Sequence, residues 1–150
     1  MVGKGLVTSR RETRVIVLQV LCESDIVAHE ATSVLHRIMT ENDVTPKASE
    51  FATYLVSNVL VNRNELDKII TAYAPNWPLS QMAIVDRNVL RMAIAEIEGG
   101  VDSPPGAIVN EAVELAKAFG AEGSPGFVNG VLGSFLNSQN KKLYHEYPPK

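Results

Sequence analysis

The chain has 150 residues, 45% of them hydrophobic, which suffices for one buried core and excludes a low-complexity or disordered polypeptide. No apolar run reaches the roughly 20 residues of a membrane span, and residues 1–7 lack the apolar stretch of a secretory signal. The single Cys22 excludes an internal disulfide and fits a reducing cytoplasm, while the net charge of −3 divides into +3 over residues 1–14, +2 over 141–150 and −8 between them.

In chain order, Ser9-Arg10-Arg11-Glu12 has the form of a capping box and predicts a first helix with Val15, Leu18, Leu21 and Cys22 on its apolar side. A second helix is expected over about 29–42, with Val34, Leu35, Ile38 and Met39 at helical spacing. Thr45-Pro46 reads as an N-cap followed by a proline at the first helical position. The third helix then carries a stripe of Phe51, Tyr54, Leu55 and Val59. Asn62 with Glu65 reads as a further helix start, continued by Leu66, Ile69, Ile70 and Tyr73. Pro75 and Pro78 flank Trp77 and break the chain. Ser80 is expected to open a long helix through Ile84, Val85, Val89, Leu90, Ala93 and Ile97, ended at Gly99-Gly100. After a turn at 103–106, a helix over 107–119 points Ile108, Ala112, Leu115, Ala116 and Phe119 inward. Ser124-Pro125 starts the last helix, with Val128, Val131, Leu132, Phe135 and Leu136 apolar. The pattern fades at Gln139, so 139–150 is expected to be a flexible C-terminal tail.

The fold class is therefore all-α: a bundle of six to seven helices with short connections. The break near 74–79 predicts two packed subbundles within one helical domain, 1–138. Chemistry is sparse. His29 and His36 stand seven apart with no third ligand at metal spacing, and no glycine-rich loop follows a strand, so no metal and no cofactor are expected. Cys22 lies in an apolar helix and reads as an inert small hydrophobe. Glu96 and Glu98 stand beside a helix end and read as a solvated face. No residue is assigned a catalytic role, and the chain is not expected to be an enzyme.

Two features point to nucleic acid. Arg10 and Arg14 are four apart and should share a helix face, with Arg11 beside them and Lys4 on the preceding arm. Three arginines at a helix N-terminus oppose the macrodipole at a cost of ~0.3–1 kcal/mol each, which an ordinary solvated helix start has no reason to accept. The planar guanidinium fork suits phosphate. Phe127 stands one turn into the last helix beside two glycines, where a partly exposed ring would stack on an unpaired base for ~1–3 kcal/mol. The plainer alternative for Phe127 is a core or staple residue.

The residues also resemble a known family. The run from Ile84 to Ile97, IVDRNVLRMAIAEI, looks like the signature helix of the NusB family. Val109 to Gly120, VNEAVELAKAFG, and Phe127 to Leu132, FVNGVL, follow in the family's order. Arg10, Arg11 and Arg14 match its arginine-rich first helix, and the likeness covers about residues 8–137. The resemblance implies a transcription antitermination factor that binds the single-stranded boxA element of nascent RNA. It implies a partner, NusE, which is a protein of the small ribosomal subunit, and joint assembly with RNA polymerase, notably on ribosomal RNA operons. It places Arg10, Arg11, Arg14, Lys117 and Phe127 toward the RNA, where the basic arm adds Lys4, and Asp86 with neighbouring Arg87 toward NusE. Many relatives carry a Tyr where this chain has Cys22, and Glu12 interrupts the basic run. Two rival readings stand beside it. One is a self-associating helical protein whose homodimer masks the arginines. The other is a stand-alone relative of the RNA-binding domain of ribosomal RNA cytosine methyltransferases, with the end at Lys150 read as leaving no cofactor-binding domain.

Overall fold

In the computed structural model, residues 5–100 and 103–146 are described, with side chains as far as Asn140. Lys4 lies outside the described residues. Six α-helices and one 3₁₀ turn account for the fold: α1 (Arg10–Val27), α2 (Ala31–Glu41), α3 (Pro46–Tyr73), the 3₁₀ turn (Leu79–Gln81), α4 (Ile84–Glu98), α5 (Pro105–Phe119) and α6 (Ser124–Glu146).

The helix starts follow from local chemistry. The Ser9 hydroxyl accepts from the Glu12 amide at 3.1 Å, and Glu12 reaches back to the Ser9 amide, completing the capping box. The Glu30 carboxylate accepts from the Thr32 and Ser33 amides and caps α2. The Thr45 hydroxyl accepts from the Ala48 amide, and Pro46 occupies the first turn of α3. Ahead of α1, Val7 is fully buried. Its amide donates to the Asp43 carbonyl at 2.6 Å, and its carbonyl accepts from the Thr45 amide at 3.1 Å. The approach to the first helix is thereby anchored to the α2–α3 connection.

Three boundaries depart from the sequence reading. Asn62 starts no helix: its amide donates to the Asn58 carbonyl and to Asn58 Oδ1, and α3 runs unbroken for 28 residues. A side chain that bonds back by one turn supports a helix interior instead of capping a new one. Ser80 lies in the 3₁₀ turn, and α4 begins at Ile84. The helical backbone of α6 continues to Glu146, past the point where the apolar pattern fades.

α4 is the axis of the molecule. It packs on α1, α3, α5 and α6, and every residue from 88 to 96 is buried, including Asn88, Arg91 and Glu96. Helix α5 turns back along α4, and α6 packs against α3, α4 and α5. The α5–α6 turn is tight because Gly120 has no side chain: a Cβ there would lie 2.6 Å from the Ser124 Cβ and Oγ. The Ser124 hydroxyl uses that closeness to accept from the Ala121 amide.

Candidate nucleic-acid interface

The arginines of α1 do not share one exposed face. Arg14 is turned inward, with its side chain 7% exposed, and its Nε and Nη2 donate to Glu96 Oε1 and Oε2 at 2.9 and 2.6 Å. The expected role of Arg14 as an open phosphate contact is therefore corrected. It falls on the same stripe as Val17, Leu18 and Leu21, one and two turns on, and the core takes it in with a carboxylate. Glu96, read as part of a solvated face, is 1% exposed for the same reason.

Arg10 and Arg11 hold the outer positions. The Arg10 guanidinium carbon lies 4.5 Å from the centre of the buried Phe51 ring, and that of Arg14 lies 5.5 Å from the same ring. Arg11 is 68% exposed and donates through Nε and Nη2 to the two Glu111 oxygens of α5 at 3.0 and 2.8 Å. The hydrogen bond and charge of Arg11 hold the Glu111 carboxyl below its ordinary range. Exposed pairs of this kind contribute little to stability and exchange readily for another anion. Lys117, in the last turn of α5, is exposed and stands 3.5 Å from Glu114.

Phe127 stands apart from these arginines. Its half-buried ring meets the exposed Trp77 edge-on, with centroids 6.3 Å apart, over a pocket of about 290 Å³. Met82, Asp86 and Ser124 line the same pocket. Asp86 and Glu96 are ten residues apart on α4, about 15 Å along its axis, so Phe127 and the arginine cluster occupy opposite ends of that helix. Phe127 thus shares its surroundings with the residue expected to face a protein partner. Asp86 Oδ1 is buried and has no hydrogen-bond partner among the described residues.

Arg87 is not available beside Asp86, and the expectation that it adds to an open partner surface is corrected. Its Nε and Nη2 donate to Asp25 of α1 at 2.7 and 2.8 Å, and its side chain is 15% exposed. Asp25 also accepts from Asn88 at 2.9 Å and Arg91 at 3.2 Å, while Arg91 reaches Asp67 of α3 at 2.7 Å. Burial alone would raise the Asp25 pKa. The bonds from Arg87 and Asn88 and the charges of Arg87 and Arg91 outweigh it and bring the carboxyl to about 2. Cys22 sits beside this cluster, and burial pushes its thiol up to about 11.

Sequence reasoning missed Phe51, Glu111, Trp77 and the Asp25 cluster as parts of these sites. The one legible signal was Arg14 in register with an apolar stripe. The others depend on which helices meet.

Comparison with known proteins agrees with this frame. The fold is an all-α bundle of six helices among the described residues, packed about a buried α4 and with three arginines in the first two turns of α1. The NusB family model matches residues 11–137. The NusB transcription antitermination protein of Dehalococcoides mccartyi (strain CBDB1) is 47% identical over 129 residues, covering 86% of this chain and 90% of its own. That of Chloroflexus aggregans is 44% identical, covering 87% and 89%. The solved NusB of T. maritima superposes with a TM-score of 0.80 at 33% identity, covering 85% of this chain and 90% of its own. A solved complex of the antitermination factors NusB and NusE with double-stranded RNA contains a chain that matches with a TM-score of 0.79 at 27% identity, covering 86% and 96%. The chain belongs to the NusB family of transcription antitermination proteins.

Proposed function

We propose that this protein binds single-stranded boxA-type RNA together with NusE and, in the cytoplasm, joins RNA polymerase in an assembly that suppresses termination, notably on ribosomal RNA operons. The role is one of binding, not catalysis. The observation that carries it is the exposed Arg11 at the start of α1, held by nothing stronger than a surface carboxylate, with Arg10 seated on Phe51 next to it. A phosphate offers Arg11 the same bidentate geometry that Glu111 offers. Lys117 lies on α5 about 9 Å beyond Glu111, toward the end where α6 brings in Phe127. A strand laid from Arg11 past Lys117 reaches the Phe127 ring, which stacks on a base.

The Asp86 side of the neighbouring pocket, with Trp77 and Met82, is the proposed seat of NusE. A buried carboxylate oxygen without a donor is costly, and a cationic or amide donor from a partner removes that cost. The solved NusB–NusE–RNA complex of a relative supports the pairing. The helices before and after the break at 75–78 act as two packed subbundles of one RNA-binding unit, 1–138. Self-association through the start of α1 is the competing state, and RNA would dissolve it.

The test is a fluorescence titration of single-stranded boxA RNA against the protein, with and without NusE. RNA should bind in both settings and more tightly with NusE. Asp86→Lys should lose the gain from NusE while keeping the RNA binding of the free protein. No binding in either setting overturns the proposal, and an unchanged gain in Asp86→Lys moves the partner elsewhere.

A further inference from the structure

On the strength of the RNA-binding reading, we propose that the groove between α3 and the C-terminal end of α4 is a second stretch of the RNA site, taking unpaired bases that flank those held at the start of α1. Two hollows make this groove. One, of about 570 Å³, lies between the start of α1 and the first turns of α3 and is lined by Arg10, Lys47 and Phe51. The other, of about 540 Å³, starts beside Glu98 and Gly99 and continues along α3 past Asn58 and Asn62 to Leu66. Tyr54 and Gly99 line both, so the groove runs on from the arginine cluster along α3 and takes none of its described lining residues from α5 or α6.

The chemistry changes along its length. The mouth offers two cations, Arg10 and Lys47, against one acid, Glu50, a balance that still suits phosphate. Next comes Tyr54, an aromatic residue left 42% exposed. Glu98, next to Gly99 where the two hollows join, supplies a carboxylate that repels phosphate and accepts from base amino groups, and the Asn58 and Asn62 amides stand further along α3. Cations at the mouth, a ring and a carboxylate at the junction and amides beyond fit a strand whose backbone stays at the mouth while its bases enter edge first. A second phosphate track would need cations in the second hollow, whose described lining carries one charged residue, the acid Glu98.

The groove is a built feature. Asn58 Nδ2 donates to the Ala95 carbonyl at 3.2 Å, which fixes that side chain, and Asn62 Nδ2 donates to Asn58 Oδ1 at 2.7 Å. Gly99 leaves the room in which Tyr54 lies: a Cβ there would stand 2.4 Å from the Tyr54 hydroxyl. Tyr54 on the third-helix stripe was read from sequence as a core residue, yet its ring is spent on this surface.

The experiment compares a short single-stranded oligoribonucleotide, chosen as one the protein binds, with versions extended by four nucleotides at either end. For the unaltered protein, one extension should raise affinity about tenfold, the value of one stacked base. In the Tyr54→Ala plus Asn62→Ala variant that gain should vanish while the short oligonucleotide binds as before. Extended RNA carrying 4-thiouridine in the flank should also crosslink, in the unaltered protein, to the α3 peptide holding Tyr54 and Asn62. An equal gain in the variant, no gain for either extension, or crosslinks confined to α5 and α6 would each overturn the groove as an RNA site. Failure of the short oligonucleotide to bind the unaltered protein would instead sink the RNA-binding reading itself.

Discussion

Arg10, Arg11 and Arg14 leave two turns of α1 for three environments: a ring, a surface carboxylate and a buried carboxylate. Their charge was legible in the sequence, and so was the penalty of placing it against the helix dipole. The division of labour was not, because it depends on Phe51, Glu111 and Glu96, which come from three other helices. Arg14 with Glu96 is a fold contact. Arg14→Ala should leave a buried, uncompensated carboxylate and lower stability by about 3–5 kcal/mol. Replacing both partners, Arg14→Met with Glu96→Leu, should cost much less. Urea unfolding of the two variants checks this, and equal losses would contradict it. Cys22, read from sequence as inert, has a thiol raised to about 11 by burial, which keeps it protonated at neutral pH. Its alkylation at pH 8 should be slow in the folded protein and should recover in denaturant. Rapid alkylation of the native chain would contradict the burial.

At the scale of elements, the helix starts at Ser9 and Thr45 were readable because capping is local chemistry. The continuity of α3 across Asn62 was not, since the same residue type caps a helix or bonds back within one. The Asp25 cluster ties the end of α1 to α4 and, through Arg91 and Asp67, to α3. It gives the bundle a definite dependence on acid. The folded Asp25 carboxyl, at about 2, lies below its unfolded value near 4. Its stabilisation is therefore complete above about pH 4 and is lost as pH falls toward 2. Glu30, also held at about 2 by its Thr32 and Ser33 bonds at the start of α2, acts in the same direction. Asp25→Asn should lower stability at pH 6 and flatten the decline between pH 4 and 2, as followed by circular dichroism in urea. A decline as steep as in the unaltered protein would assign the acid sensitivity to other groups.

For the whole molecule, the sequence conveyed the class of fold, the family and an uneven charge. It did not convey that α4 holds two groups of candidate site residues apart. The arginines stand at its C-terminal end and Phe127 with Asp86 at its N-terminal end, about 15 Å away along the axis. Phe127 and Asp86 lie on different helices, 41 positions apart, and only the packing of α6 on α4 brings them to one pocket. In the proposed function an exposed guanidinium at the start of α1, that of Arg11, exchanges its carboxylate for RNA phosphate. The most direct measurement is the salt dependence of single-stranded boxA RNA affinity for the unaltered protein and for Arg11→Ala. Loss of one phosphate contact should reduce the slope of log affinity against log salt by about 0.7 and weaken binding most at low salt. An identical slope and affinity in Arg11→Ala would contradict the account.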